Sequence, residues 1–158
     1  MTGKKEMPHL HLIALNIRSA QNVGSLFRTA DSLGVFKLWL AGYTPSPEHA
    51  MVKKTALGAE KTVAWEHVAD PLKCLEDLRS KGVRIVGLEL TADAINLAEY
   101  QPTFPMALVL GNEVEGLTAT QLARCDEVIC IAQKGKKESL NVGVAAGIAV
   151  WGLLSVKR

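Results

Sequence analysis

Short apolar runs alternate along this chain with segments of helical period. Leu10–Leu15 reads as a buried strand, and Lys37–Ala41, Arg84–Leu90, Met106–Leu110 and Glu127–Ile131 as further strands. Between the first two, Val23, Leu26, Phe27, Ala30 and Leu33 fall on one face of a helix that Gly34 stops. Gly42–Pro47 is rich in turn residues, and Glu48–Leu57 has room for a short helix. Val63 and Trp65 mark a short strand or extended segment. Pro71–Ser80 is predicted as a helix with Asp70 as its N-cap and Pro71 in its first turn. Leu140–Val156 is the closing helix. Strand and helix in repeated alternation predict an α/β domain with a mainly parallel sheet flanked by helices. No repeat, low-complexity tract or linker divides it, so residues 1–158 are read as one domain with a short leading tail up to about His9. In such sheets ligands gather beyond the carboxyl ends of the strands. The loops after Leu15, Leu90, Leu110 and Ile131 are therefore the places to look.

Composition narrows the setting. With 48% hydrophobic and 22% charged residues, a real core forms and disorder is excluded as the main state. A formal charge of +2 neither demands nor excludes a nucleic-acid partner; local clusters decide. Two occur, at Lys53–Lys54 and at Lys134, Lys136 and Lys137. Cys74, Cys125 and Cys130 lack CxxC spacing and read as buried thiols rather than a disulfide framework or zinc site. His9 and His11 alternate around Leu10, a poor arrangement for holding a metal, and read as surface residues. No apolar run nears the roughly 20 residues that span a membrane. The polar, lysine-bearing start has no signal core behind it. A soluble, reduced, cytoplasmic protein is expected.

Three loops carry candidate chemistry. The first runs from Asn16 through Asn22 and Gly24 to Arg28, amide and guanidinium groups suited to a phosphate or ribose. Its plainer reading makes Asn22 a helix cap and Arg28 a solvated residue. The second, Gly111-Asn112-Glu113-Val114-Glu115-Gly116, puts a glycine directly after an apolar strand, where a ligand can approach the backbone. Glu113 can orient a neighbour or accept a bond from substrate; otherwise this is a turn before a helix capped by Thr118. The third runs from Ile131 to Ile148, a basic loop feeding a helix of small residues, with Ser139 and Asn141 at its start. Ser139 as an N-cap is its plainer reading, which leaves Asn141 less well explained.

Taken together, these stretches resemble the three signature motifs of the SpoU (TrmH-like) family of RNA ribose 2′-O-methyltransferases, in the SPOUT superfamily. The first is Asn22-Val23-Gly24 with Arg28-Thr29-Ala30, the second Leu108-Val109-Leu110-Gly111-Asn112-Glu113 with Gly116, the third Ser139-Leu140-Asn141-Val142 with Val144-Ala145-Ala146. They occur in order, at strand ends, in a resemblance that runs from about Leu10 to the end.

The resemblance implies a C-terminal deep trefoil knot between about Leu88 and Val150, which periodicity would never propose. It implies S-adenosyl-L-methionine as cofactor and S-adenosyl-L-homocysteine as product, held by Leu88, Gly111, Ile131, Ser139 and Leu140. It implies Arg28 as the catalytic arginine, Asn22 orienting Arg28 or the ribose, Glu113 fixing the catalytic loop, and Ser139 and Asn141 binding cofactor and substrate ribose. Arg28 either clamps the adjacent phosphate or acts as base; an arginine rarely loses its proton, so positioning is the favoured role. No metal is implied. Family members are homodimers in which this arginine usually serves the partner's pocket. The apolar faces of Val23–Leu33 and Leu140–Leu154 are the interface candidates, with Trp151 as anchor.

Neither the N-terminal RNA-binding domain nor the extra terminal helices of longer members are expected from this sequence. Its RNA, tRNA or rRNA, is then expected to lie on the dimer surface, with Arg18, Lys53, Lys54, Lys61, Lys134, Lys136 and Lys137 as candidates. The Lys54–Glu60 and Gly87–Thr91 segments look closer to the guanosine-18 tRNA branch than to the short wobble-position branch. Two other readings compete. A knotted protein that binds RNA or cofactor without turnover would be favoured by loss of Arg28 or Asn141, and both are present. A dinucleotide-binding Rossmann enzyme would need a GxGxxG after the first strand, and none is there.

Overall fold

A strand as uniformly apolar as Leu10–Leu15 needs cover on both faces. The fold supplies it by placing that strand inside a sheet. The computed structural model describes residues 6–137 and 139–156. In chain order come β1 (Leu10–Leu15), α1 (Ala20–Leu33), β2 (Lys37–Ala41), α2 (Ala50–Ala56) and a 3-10 turn (Ala59–Lys61). There follow β3 (Trp65–Val68), α3 (Pro71–Ser80), β4 (Arg84–Leu88), β5 (Ile95–Asn96), β6 (Met106–Leu110), α4 (Ala119–Ala123), β7 (Glu127–Cys130) and α5 (Val142–Leu154). The seven strands order as β3-β2-β1-β6-β4-β7-β5, and every pairing between them is parallel.

Side chains alternate along the strands and build two cores. Leu10, Leu12 and Ala14 of β1, with Met106, Leu108 and Leu110 of β6, face α1, α2 and α5. Ile13 and Leu15, with Ala107 and Val109, face α3 and the start of α4. The carboxyl ends of β1 and β2 are tied by buried Thr44, whose hydroxyl accepts from the Ile17 amide and lies within bonding distance of the Ala14 and Ala41 carbonyls. Loops leaving that edge therefore start from fixed points.

α3 has the predicted span, Asp70 cap and leading proline. α1 starts at Ala20 rather than Val23, because the hydroxyl of Ser19, not Asn22, caps it; Gly34 ends it at φ 76°. α5 starts at Val142 because Asn141, not Ser139, is its N-cap. β4 stops at Leu88 and β7 at Cys130, short of the predicted Leu90 and Ile131. β5 has only two residues, too few to show a period.

Burial also corrects the reading of single residues. His11 is buried, accepts a hydrogen bond from the Trp39 indole at 3.1 Å, and is pushed down to about 4 by that burial, helped by nearby His9, Lys37 and Lys81. Cys74 is buried while Cys125 and Cys130 are half-buried; burial raises the Cys74 thiol to about 12 and Cys125 to about 11. The apolar face of α1 is spent on the core, with Leu33 alone partly buried, and leaves little for an interface; the outward residues Gln21, Ser25, Arg28 and Ser32 are polar. α5 buries Ala146, Ala149, Val150 and Leu153 and still leaves Val144, Ile148 and Trp151 exposed in one stripe.

Gly24, within the first motif, serves the packing of α1 on α2. A Cβ there would lie 1.7 Å from Thr55 Oγ1 and 3.0 Å from the Ala56 backbone nitrogen. Helix propensity favours alanine over glycine by about 1 kcal/mol, but overpacking of this kind costs ~1–3 kcal/mol. We predict that Gly24→Ala lowers stability by up to ~2 kcal/mol in urea unfolding, while Ser32→Ala on the exposed face of the same helix changes it by less than about 0.5 kcal/mol.

Candidate active site

At the carboxyl ends of β1, β6 and β7 the three loops meet in one hydrogen-bonded chain, with the Glu113 carboxylate at its start. Glu113 Oε1 accepts from the Arg18 amide at 2.7 Å, and Oε2 accepts from the Ser19 amide at 2.8 Å and from Asn22 Nδ2 at 3.2 Å. These amides stand at the entry to α1, where the helix dipole also favours a negative charge. Asn22 Oδ1 in turn accepts from Asn141 Nδ2 at 3.2 Å, across 119 residues of sequence. Asn141 Oδ1 accepts from the Gly143 and Val144 amides and so starts α5. Glu113, Asn22 and Asn141 thus form one continuous chain through the three motifs. Asn22 bonds Glu113 and Asn141 rather than Arg28.

Partial burial by itself would raise the Glu113 carboxyl. The Arg18, Ser19 and Glu113 backbone amides and the Asn22 side chain outweigh it, and the group sits below the usual glutamate value. An ionised carboxylate accepting several N–H bonds is the reason.

Beside this chain lies a cleft of about 520 Å³, within the range of small-molecule sites. Leu88, Leu110, Ile131, Leu140, Val142 and Ala145 give it apolar walls; Glu89, Glu113, Glu115, Gln133, Ser139 and Asn141 give it polar ones. All five residues expected to hold a cofactor, Leu88, Gly111, Ile131, Ser139 and Leu140, line it, as do Asn22, Glu113 and Asn141. Apolar walls with backbone groups at strand ends suit a flat heterocycle, and the carboxylates suit a cationic centre.

Gly111 has a packing role beside its place in the cleft wall. A Cβ there would lie 2.4 Å from the Gly116 carbonyl carbon and 2.6 Å from the Leu117 nitrogen, so the glycine admits the chain's own returning loop. Glu89 holds that loop: Oε2 accepts from the Leu117 amide at 2.9 Å and Oε1 from the Leu90 amide at 3.0 Å. Asn112 completes it. Its Nδ2 donates to the Asn16 carbonyl and the Tyr43 hydroxyl, both at 2.9 Å, and its Oδ1 accepts from the Val114 and Glu115 amides. Tyr43 went unseen in the sequence because no periodicity or motif marks it; Asn16, Glu89 and Asn112 stood in the stretches singled out there but with no role of their own.

Arg28 does not line the cleft of its own chain. It lies exposed on the outer face of α1, with no hydrogen bond or ion pair among the described residues. Lys53 and Lys54 on α2, and Lys61 in the 3-10 turn, are exposed beside α1 and away from the cleft walls. Lys134, Lys136 and Lys137 are exposed on the loop between Gln133 and Ser139, both of which line the cleft. Arg18 gives its amide to Glu113 and is itself exposed.

The SpoU rRNA methylase family profile matches residues 9–151. The chain is 32% identical over 149 residues to the tRNA (guanosine(18)-2′-O)-methyltransferase of Aquifex aeolicus, covering 94% of this chain and 70% of that protein. It is 34% identical over 151 residues to the 23S rRNA (guanosine-2′-O-)-methyltransferase of Pectobacterium atrosepticum, covering 96% of this chain and 61% of the relative. Among solved structures, the AdoMet-bound rRNA methyltransferase of Sinorhizobium meliloti superposes with a TM-score of 0.87 at 23% identity, a likeness of fold, over 94% of this chain and 56% of that one. The chain thus spans less than two thirds of the length of the last two.

Because the folded Glu113 carboxyl titrates below an ordinary glutamate, near 4.5, its contribution to stability is complete above that value and fades as pH falls through the lower folded one. Glu113→Gln replaces one accepting oxygen by a donor facing amides, a cost of ~1–3 kcal/mol at neutral pH. We predict that the stability gap between wild type and this variant, measured by urea unfolding, is full at about pH 7 and shrinks towards about pH 3. A gap that does not change with pH would show that the negative charge is not what binds the loops.

Proposed function

The chain belongs to the SpoU rRNA methylase family, and on that premise we propose that it transfers a methyl group from S-adenosyl-L-methionine to a ribose 2′-hydroxyl of a structured RNA. The observation that carries this reading is the Glu113–Asn22–Asn141 chain at the wall of the cleft, which puts the polar groups of all three motifs beside one ligand-sized space. The names of the Aquifex and Pectobacterium relatives support the reaction, and they divide between tRNA and 23S rRNA. We take tRNA as the substrate class.

When bound, the cofactor supplies a methyl group on a positively charged sulfur. Leu88, Ile131 and Leu140 would enclose its heterocycle, with backbone groups near Gly111 and Ile131 meeting its edges. Glu89 and Glu115 line the same cleft and would favour its positive charge. S-adenosyl-L-homocysteine leaves as product.

The protein's remaining task is to place the ribose oxygen in line with that methyl and to ease loss of its proton. Both oxygens of Glu113 and both polar atoms of Asn22 and Asn141 are engaged in holding the loops together. They act as a frame that aims the neighbouring groups, Ser139 included. With the methyl supplied by the cofactor, these groups would hold the ribose oxygen towards it while the hydroxyl proton passes to solvent or phosphate. Arg28 serves this step by clamping the adjacent phosphate through its planar fork.

Its own cleft does not include Arg28, and this supports a homodimer in which the arginine reaches the partner's site. The exposed stripe of Val144, Ile148 and Trp151 on α5 supplies an apolar face for such a dimer, beside the polar face of α1 that carries Arg28. Family membership likewise supports a trefoil knot between about Leu88 and Val150, with β4, β6 and β7 adjacent in the sheet and α5 returning to α1. We read the chain as one domain acting in the cytoplasm. Among the described residues no helix is long and apolar enough to cross a membrane. Arg18, Lys53, Lys54, Lys61 and the Lys134–Lys137 loop are the phosphate contacts of this reading.

Arg28→Ala is expected to lower methyl transfer on the order of 10²-fold or more, with S-adenosyl-L-homocysteine affinity, read by calorimetry, within about twofold of wild type. Asn141→Ala is expected to be inactive as well. Co-expressed as mixed dimers, these two variants should regain transfer, because one of the two sites then has an intact Asn141 and the partner's intact Arg28. Mixed dimers as silent as either parent would place Arg28 in its own chain's site, and undiminished transfer by Arg28→Ala would remove its role.

A further inference from the structure

Three aromatic side chains are strongly exposed among the described residues: Phe36, Tyr43 and Trp151. Two are accounted for. Phe36 stacks on His9 at the amino ends of the strands, far from the cleft. Trp151 belongs to the apolar stripe of α5. Tyr43 is 61% exposed, follows the carboxyl end of β2, and fills no core.

Its exposure is not looseness. The Tyr43 amide donates to Asn16 Oδ1 at 3.1 Å, and its hydroxyl accepts from Asn112 Nδ2 at 2.9 Å. The ring is thus pinned at both ends. Both anchors are themselves fixed. Asn16 takes a left-handed backbone at φ 51°, its carbonyl also bonded to Asn112, and Gly42 at φ 68° makes the close approach to the Asn16 side chain. Asn112 has its two amide protons and its carbonyl oxygen all in use, and it lines the cleft next to Glu113. A rigid, open aromatic face therefore stands at the rim, one residue removed from the site's central carboxylate.

Building such a ring into solvent has a physical use. A base of unstacked RNA can lie on it, and a ring already held in place loses little freedom on binding. We propose that Tyr43 is a stacking platform for a base of the substrate RNA flanking the target nucleotide, a positioning and specificity residue for the transfer. This rests on the methyltransferase reading above. The lysines supply attraction without sequence preference; Tyr43 supplies a defined place for one base, which fixes the neighbouring ribose relative to Asn22 and Asn141.

The test compares Tyr43→Ala, Tyr43→Leu, Tyr43→Phe and Tyr43→Trp in the full chain. Affinity for fluorescently labelled total tRNA is read in the presence of S-adenosyl-L-homocysteine, alongside KM for tRNA, kcat, cofactor affinity and melting temperature. Loss of one base stack predicts RNA affinity weaker, and KM higher, by about tenfold for Ala and Leu, with Phe and Trp within about threefold of wild type. Cofactor affinity and melting temperature stay unchanged. Tyr43→Ala binding RNA as tightly as wild type would overturn the proposal, and so would Tyr43→Phe failing as badly as Ala, which would assign the work to the hydroxyl. Wild type that binds RNA through Tyr43 yet transfers no methyl would contradict the enzyme and leave the platform standing. Wild type that binds no RNA would overturn both.

Discussion

The site depends on one carboxylate held charged between three loops. Glu113 leaves β6 and takes the two amides that open the path into α1, together with the side chain of Asn22. Asn22 hands the connection to Asn141, which starts α5. Glu113 and Asn22 are half-buried, where an unpaired polar group is costly, and their bonds to backbone amides and to each other satisfy them. The loops from β1, β6 and β7 are joined through this arrangement at the wall of the cleft. Preorganisation of that kind is what in-line transfer demands, since the reacting oxygen has little tolerance in position.

The rest of the fold makes this junction reachable. Parallel pairing of β1 with β6, and of β6 with β4, brings the ends of strands distant in sequence to one edge. Close approaches then need glycine. Gly24 lets α2 lie against α1, and Gly111 lets residues 116–117 pass over the end of β6. Two of the motif glycines, Gly24 and Gly111, are thus packing residues of the frame, and Gly111 lines the cleft as well. Glu89 stabilises the same crossing from the neighbouring strand by accepting the Leu117 amide.

Much of this was legible in the sequence, for physical reasons. The buried runs at Leu10–Leu15 and Met106–Leu110 and the Asp70-Pro71 helix start are local signals, and the strands and helix fall where expected. The ends of elements were less legible wherever a side chain from far away decides them. Asn141 rather than Ser139 caps α5, and its other bond goes to Asn22. β4 ends where Glu89 turns to serve Leu90 and Leu117. Asn22, Glu113 and Asn141 could be picked out through the motifs, but their mutual bonds span 91 to 119 residues and no local pattern encodes them. His11 looked like a surface residue on a strand; the Trp39 indole and burial make it part of the interior. Tyr43 had no signal at all, because an exposed tyrosine in a turn acquires meaning only from what holds it.

The most direct test of the central claim is transfer of labelled methyl from S-adenosyl-L-methionine to RNA from the source cell with this gene deleted, followed by nuclease digestion and identification of the labelled nucleoside. The account predicts label in a single 2′-O-methylnucleoside, with the adjoining linkage resistant to alkali because its 2′-oxygen is capped. Label on a base, with the linkage still cleaved by alkali, would contradict ribose methylation, and no transferred label from protein that binds the cofactor would contradict turnover itself.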